Sequence, residues 1–153
     1  RSQFAASVEF LVLLEPTSPL RSAQLLEEAI DSLRANSTWD GIVSVDQPAL
    51  SPFWVGVQID ADGTIGRHPL LGSESAARRQ DVAPFQRVNG NFFVWRLDHA
   101  AALPDSWLHA GRYGGFTIPQ ELAHTIDTPT DFAVVRAIVG AGLVALPWLG
   151  ERQ

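Results

Sequence analysis

Phe10–Arg21 reads FLVLLEPTSPLR, a short apolar run that ends in a turn rich in proline and hydroxyl groups. The residues from Phe10 to Leu14 predict a strand covered on both faces. Pro16 and Pro19 lack the N–H that a sheet ladder requires, so the chain leaves the sheet at this strand's carboxyl end. Ligands of open α/β sheets bind at that edge. The candidate substrate-binding residues of the turn are Glu15, Thr17, Ser18 and Arg21. The same pattern is also typical of an ordinary connection between a strand and a helix.

Composition narrows the class of protein. The 153 residues are 46% hydrophobic and 18% charged, which predicts one globular domain. No apolar run reaches the roughly 18 residues of a membrane span. A net charge of −6 argues against general affinity for nucleic acid. The absence of cysteine excludes disulfides and thiolate chemistry, and we expect a cytoplasmic protein.

The basic residues of the chain are all arginine. Schiff-base chemistry and phosphate binding through a P-loop lysine are therefore excluded for this stretch. An anionic ligand would be held by arginine side chains and backbone N–H groups.

The spacing of apolar residues predicts an α/β fold. Ser22 caps a helix over 23–35, and GIVSV at 41–45 is a second buried strand, which together imply a parallel crossover. Alternation over 53–59 predicts a half-buried strand, and Asp62-Gly63 predicts a turn into a return strand. We expect this hairpin to leave the main sheet and cover a site or a partner subunit.

The second half of the chain continues the α/β pattern. A strand is predicted over 92–95, a short helix and loop over 99–108, and a brief extended piece over 116–119. GRYGG at 111–115 is interpreted as a turn only. Thr128, with Pro129 and Asp131 after it, predicts the start of a helix.

Two further constellations carry possible chemistry. The stretch 78–91 offers groups that suit bidentate binding of a carboxylate or phosphate, namely Arg78, Arg79, Gln80, Arg87, Asn89 and Gly90. A solvated loop with an Asn-Gly turn explains the same residues. Asp127 is placed as a hard-cation ligand at a strand-to-helix junction, and equally well as a helix-start residue. His109 and His124 have no companions at metal-ligand spacing and are interpreted as structural or as residues that support a site without contacting its ligand.

Taken in order, four segments resemble the acylneuraminate cytidylyltransferases, the CMP-sialic acid synthetase family. They are LLEPTSPLR at 13–21, SVD at 44–46, RRQDVAPFQRVNGNFFV at 78–94 and TIDTPTDF at 125–132. The resemblance implies a Rossmann-like nucleotidyltransferase, with a mostly parallel sheet and a protruding hairpin for dimerisation within 50–95 of a single domain, 1–153. It implies an enzyme that couples CTP to a nonulosonic acid, releases pyrophosphate, uses Mg²⁺ and forms a homodimer.

The resemblance also implies roles for individual residues. Arg79 and Asn89 match positions that contact the acidic sugar, with Gln80 beside them, and Phe93 stands where the family often has tyrosine. Leu108 and His109 fall in the region of the acyl pocket. Asp127 matches a metal ligand, so Asp127 and Arg79 are the expected catalytic residues.

The sequence departs from the family pattern in three places. Glu15 replaces the usual glutamine, which puts an acceptor-only carboxylate beside an anionic substrate. Thr125 replaces the first metal-binding aspartate, which is expected to weaken Mg²⁺ binding. The glycine- and lysine-containing CTP-binding segment of the family is absent, so we expect an N-terminally incomplete domain that is inactive alone. The alternatives are a non-catalytic sugar-binding or assembly module, and a cytidylyltransferase for a Kdo-like, legionaminic or pseudaminic acid.

Overall fold

The computed structural model describes residues 8–67 and 84–149. Its elements in chain order are β1 (Phe10–Leu13), α1 (Ala23–Ala35), β2 (Gly41–Asp46), α2 (Pro52–Val55), β3 (Val57–Ile59), β4 (Ile65–Arg67), β5 (Arg87–Arg96), α3 (Leu97–Ala100), β6 (Tyr113–Thr117) and α4 (Pro129–Gly140), with 3₁₀ turns at Trp107–His109, Gln120–Leu122 and Pro147–Leu149. The chain divides into two compact units, Arg1–Asp46 with Val88–Gln153, and Gln47–Arg87. No helix in the described ranges is long and apolar enough to cross a membrane.

The described part of the first unit contains a four-stranded sheet in the order β1-β5-β2-β6. β1 pairs with β5 in antiparallel fashion, so that Leu13 lies opposite Phe93. β2 pairs with β6 in parallel, so that Gly41 lies opposite Tyr113. The fold is therefore mixed α/β, as the periodicity predicts.

The direction of β5 corrects the expected sheet. The Arg96 N–H donates to the Asp40 carbonyl at 2.9 Å, and the Phe92 N–H donates to Ser44 Oγ at 3.0 Å. The lower-numbered residue of β5 bonds the higher-numbered residue of β2, so these two strands are antiparallel. β5 is therefore antiparallel to both of its neighbours, β1 and β2. The prediction of a mostly parallel sheet is wrong, because β5 lies between β1 and β2 and separates the two strands that a simple crossover would have paired.

The first strand is also less buried than expected. Phe10 and Val12 pack against the core, whereas Leu11 and Leu13 are 46% and 47% exposed. Side chains of a strand alternate between its two faces, and β1 lies at one edge of the sheet. Within the described ranges only one face of β1 is covered, so the prediction of burial on both faces is wrong.

Helix α1 forms where predicted and supplies the core on one face of the sheet. Ser22 Oγ accepts a hydrogen bond from the Leu25 N–H at 3.3 Å, which caps the helix. Ala29 and Leu33 are fully buried against the sheet. Their cluster comprises Ala29, Leu33, Ile42, Phe92, Val94, Ile118 and Ala123, and the opposite face carries Val43, Val45, Phe93 and Trp95. Covered on both faces, β2 is buried along its whole length, as predicted.

The second unit contains the expected hairpin, but the segment that precedes it differs from the prediction. Pro52 begins a short helix, α2, because proline suits the first position of a helix, so the predicted strand over 53–59 shrinks to β3. β3 and β4 pair in antiparallel fashion around Gly63, whose φ of 84° suits glycine, and this confirms the turn. The prediction of half-burial is wrong, since Ile59 and Ile65 are 70% and 72% exposed.

The glycine-rich stretch 111–115 is more than the predicted turn. Gly114 and Gly115 lie within β6, which extends the expected piece over 116–119 backwards to Tyr113. The Trp39 ring packs directly over Gly114, in space that a Cβ would occupy. A strand can pass beneath this ring only because the residue has no side chain.

Thr128 begins α4 as its N-cap, as the sequence predicts, and the structure adds a reciprocal bond that makes it a capping box. The Asp131 N–H donates to Thr128 Oγ1 at 3.2 Å, and Asp131 Oδ2 accepts from the Thr128 N–H at 2.7 Å. The hydroxyl of Thr128 donates to the same carboxylate at 2.8 Å. These bonds, first that from the hydroxyl and then those from backbone N–H groups, hold the pKa of Asp131 below its usual value.

This pKa shift predicts a pH-dependent contribution to stability. A carboxyl with a lower pKa in the folded state stabilises the fold above its unfolded pKa, and the contribution is lost as the pH falls through the folded value. We expect Thr128→Ala to reduce the loss of folding stability that occurs as the pH falls. Urea unfolding between pH 7 and pH 2 measures it, with Thr130→Ala in the same helical turn as control. Equal pH dependence of the two variants would contradict the prediction.

Candidate functional site

The turn after β1 is tied to the sheet by Arg21. The Ser18 N–H donates to the Glu15 carbonyl at 3.1 Å and closes the turn. Nη2 of Arg21 donates to the Glu15 carbonyl at 2.8 Å, and Nη1 donates to the Asn91 carbonyl at 2.6 Å. Burial lowers the pKa of Arg21, while the charge of Glu15 acts in the opposite direction. Arg21 therefore joins the turn to β5 through backbone carbonyls.

Three segments that are distant in sequence meet at this turn. The Ile126 N–H donates to the Thr17 carbonyl at 2.8 Å. Thr125 Oγ1 donates to the Asn89 carbonyl at 3.3 Å and lies 3.5 Å from Ser18 Oγ, with which it also shares a hydrogen bond. The structure thus brings together the predicted residues of the first turn, Asn89 on β5, and the segment that leads to Asp127.

Glu15 lies over Gly90. Gly90 is buried and has a φ of 72°, and a Cβ built there would come within 2.6 Å of Glu15 Oε2. A glycine with positive φ inside a strand is typical of a β-bulge, which redirects neighbouring side chains. The two predicted substrate-binding residues are therefore direct neighbours, and the carboxylate lies beside Asn89.

Asn89 has the most distinctive environment of the site. Its side chain is 7% exposed, and Oδ1 accepts from Ser44 Oγ at 2.7 Å and from the Asn91 N–H at 3.1 Å. Because a backbone N–H can only donate, this contact identifies Oδ1 and thereby Nδ2. Nδ2 is buried and makes no hydrogen bond within the described ranges. A buried donor without a partner calls for a structural or functional explanation, and a ligand acceptor is one.

Sequence reasoning missed three buried polar residues, of which two contact Asn89. Asn91 Nδ2 donates to the carbonyls of Leu20 and Leu122 at 3.0 and 3.1 Å, which joins β5 to the turns on either side. Ser44 and Asp46 are fully buried on β2. The SVD segment was the available signal, since polar residues within a buried strand need a structural or functional reason.

Phe93 belongs to a buried aromatic cluster. Its ring stacks on Trp95 at 5.8 Å and meets the edge of Trp107 at 5.2 Å. Leu108 and His109 are exposed and follow Trp107 in the same 3₁₀ turn. The structure therefore brings Phe93 and the predicted acyl-pocket residues into one neighbourhood, where a phenyl ring needs no hydrogen-bond partner.

Four predicted site residues remain, namely Arg78, Arg79, Gln80 and Asp127. Arg78, Arg79 and Gln80 lie outside the described residues, and their roles stay predictions. Asp127 is exposed, and its backbone N–H donates to Asp131 Oδ2 at 3.2 Å. The segment before it, 123–126, is not a strand, which corrects the expected strand-to-helix junction.

The described residues do not form a protein-only metal site. No group of three His, Cys, Asp or Glu side chains within 8–67 and 84–149 is placed to hold an ion. Thr125, at the first metal-ligand position of the family pattern, bonds the Asn89 carbonyl instead. Asp127 contributes one carboxylate, which fits Mg²⁺ only where substrate phosphates and water complete the coordination.

Comparison with known proteins agrees with the four motifs. Three curated N-acylneuraminate cytidylyltransferases, from Streptococcus agalactiae serotypes V, III and Ia, are each 27% identical to the chain over 131 residues. The alignments cover 86% of this chain and 30% of each relative, so the chain spans less than a third of their length. No protein-family model matches. The resemblance inferred from the motifs is confirmed: over most of its length the chain is similar to N-acylneuraminate cytidylyltransferases.

Proposed function

We propose that this chain is the sugar-acid-binding part of a cytidylyltransferase with a Rossmann-like fold, acting on a nonulosonic acid. The observation that carries the proposal is the convergence of the first turn, Asn89 and the 125–127 segment around a buried side-chain donor. The similarity to N-acylneuraminate cytidylyltransferases supports the same substrate class. A cytoplasmic location, where CTP is available, is part of the proposal.

In the proposed reaction the anomeric hydroxyl of the sugar attacks the α-phosphorus of CTP. A new oxygen–phosphorus bond forms, the α–β phosphoanhydride bond breaks, pyrophosphate leaves and the hydroxyl proton is released. Asn89 donates a hydrogen bond to the sugar, and Arg79 pairs with the sugar carboxylate. Asp127 would help to hold Mg²⁺, which when bound would supply positive charge to the phosphate oxygens.

Glu15 bears on the choice of sugar. A carboxylate over Gly90 repels an acidic group placed there but accepts hydrogen bonds from hydroxyl or amine substituents. This favours an orientation in which the sugar carboxylate points away from Glu15. It also keeps open a related acidic sugar, Kdo-like, legionaminic or pseudaminic, as the natural substrate.

The nucleotide is proposed to be bound largely by groups outside this sequence. The chain contains no lysine and spans 30% of the length of its relatives. We expect residues 1–153 alone to bind sugar without forming a CMP-sugar. Turnover with CTP and Mg²⁺ by the 153-residue chain would contradict this part of the proposal.

Direct binding of N-acetylneuraminic acid tests the sugar site. We expect Asn89→Ala to weaken binding about tenfold, since a buried donor to a ligand is lost. Glu15→Gln is expected to strengthen it, because a negative charge is removed. Titration calorimetry and NMR measure both, with the exposed Gln86→Ala as control. Unchanged affinity in Asn89→Ala would overturn the assignment.

A second candidate function is a non-catalytic sugar-binding module. The observation that favours it is the engagement of Thr125 with the Asn89 carbonyl in place of a metal-binding carboxylate. The two candidates differ in their dependence on metal and nucleotide. Sugar binding that ignores Mg²⁺, with no affinity for CMP or CTP even in a longer chain, would favour the module.

We also propose that the hairpin forms a homodimer contact. Ile59 and Ile65 are cross-strand partners, so their side chains share one face of the β3–β4 hairpin, and both are largely exposed. Large neighbouring apolar side chains in water favour an interface.

Charge placed on this face is therefore expected to dissociate the dimer. We predict that Ile59→Asp with Ile65→Asp shifts the sedimentation coefficient to that of a monomer. Gln58→Asp, whose side chain points to the other hairpin face, serves as the control. A monomeric unsubstituted chain, or a double variant that stays dimeric, would contradict the prediction.

A further inference from the structure

Beyond the sugar binding proposed above, on which this inference rests, we propose that Ser44 is a positioning residue. It does not touch the sugar. Its hydroxyl holds the Asn89 amide so that Nδ2 is presented to the ligand.

The hydrogen bonds of Ser44 determine which acceptor receives its hydroxyl proton. The side chain is fully buried, and Oγ accepts the Phe92 N–H at 3.0 Å. The single hydroxyl proton then has two acceptors in range, Asn89 Oδ1 at 2.7 Å and the Phe92 carbonyl at 3.1 Å. The shorter contact has the better hydroxyl geometry, so the proton is donated to Asn89.

A second donor completes the clamp on Asn89. The Asn91 N–H reaches Oδ1 at 3.1 Å, two residues along the chain, as in an Asx-turn. Gly90 makes this possible, because its positive φ turns the Asn91 N–H back toward the Asn89 side chain. Rotating the amide by 180° would place its NH₂ group against the Asn91 N–H, which can only donate, so the present orientation is preferred.

The site therefore keeps a buried donor oriented before the ligand arrives. Nδ2 lacks a hydrogen bond within the described ranges, and leaving a buried donor unpaired is costly. A ligand acceptor that pairs with Nδ2 removes this cost, which favours binding. An amide that rotates freely would not provide this gain. Loss of Ser44 removes one of the two donors that hold Oδ1, and the amide gains alternative orientations.

A structural role alone would change only the stability of the fold. A positioning role also changes the environment of the Asn89 side-chain amide and the affinity for sugar. The side-chain ¹⁵N–¹H signal of Asn89, assigned by its loss in Asn89→Ala, reports the first directly. Val43→Ala, on the other face of β2, is a control that loses core packing without touching this network.

The test compares Ser44→Ala, Ser44→Thr and Val43→Ala with the unsubstituted chain, using N-acetylneuraminic acid as the probe. We expect Ser44→Ala to move the Asn89 amide signal and weaken binding about fivefold, the loss of one neutral hydrogen bond. Ser44→Thr should restore both. Val43→Ala should lower stability and leave the Asn89 amide signal in place. If Ser44→Ala does not fold, Ser44→Cys, with its weaker donor, replaces it with the same expectations.

The possible failures are distinguishable. An unsubstituted chain that binds no sugar overturns the proposed function. An Asn89 signal that does not move in Ser44→Ala overturns the role of Ser44, whatever the sugar result. An Asn89 signal that moves equally in Ser44→Ala and Val43→Ala would show a merely structural effect and overturn it as well.

Discussion

Replacing Gly114 by alanine is expected to destabilise the fold by about 3 kcal/mol, the upper part of the range for overpacking a filled core. The added Cβ would overlap the Trp39 ring, which covers β6 at this point. Gly114 cannot retreat easily, because its backbone is paired with Ile42 of β2, and the Trp39 ring is packed against the core. Urea unfolding followed by circular dichroism measures the loss.

Gly115 provides a matched control one residue along the same strand. Its added Cβ would lie 3.4 Å from Val45 Cγ2, an ordinary van der Waals distance. We expect Gly115→Ala to change the free energy of unfolding by no more than about 0.5 kcal/mol. Equal destabilisation of the two variants would show that β6 rejects any side chain, and that the Trp39 contact is not the cause.

Replacing Arg21 by alanine is expected to cost about 3 kcal/mol and to abolish sugar binding. Two charge-assisted hydrogen bonds, to the carbonyls of Glu15 and Asn91, are lost, and each is stronger than a neutral one. The turn that carries Ser18 then loses its attachment to β5. Urea unfolding measures the stability, and titration with N-acetylneuraminic acid measures the binding.

Arg34 is the matched control for this substitution. Its ion pairs with Glu9 and Asp31, at 3.2 and 3.1 Å, lie on the surface, where solvent screens them. We expect Arg34→Ala to change stability little and sugar affinity not at all. Arg21→Lys should recover only part of the loss, since a lysine cannot reach two carbonyls with a rigid fork. Full rescue by lysine would show that charge alone matters at this position.

Features that depend on a few neighbouring residues were predictable from the sequence. The cap of α1 at Ser22, the cap of α4 at Thr128 and the turn at Asp62-Gly63 all form as expected. Each depends on hydrogen bonds or backbone angles within four residues, so its energetics is already present in the local sequence. The motif-based resemblance held for a related reason, because it compares ordered short segments and needs no coordinates.

The errors arose where a pattern was compatible with more than one tertiary arrangement. FLVLL predicts a strand, but whether its second face is covered depends on which strands pair with it. The prediction of a turn for GRYGG failed because glycine occurs both in turns and in strands over which an aromatic ring packs. Position 53 follows Pro52, and the preference of proline for a helix start outweighed the alternating pattern.

By itself the sequence determined the α/β class, the bounds of α1 and the start of α4, the absence of cysteine and lysine chemistry, and the motifs that indicate a cytidylyltransferase-like protein. Only the tertiary structure decided that β5 runs between β1 and β2, and that Asn89 therefore meets Ser44 and Thr125. The physical reason is the range of the interactions. Caps and turns are local, whereas the amide of Asn89 is held by Ser44, 45 positions away, and its backbone carbonyl by Thr125, 36 positions away.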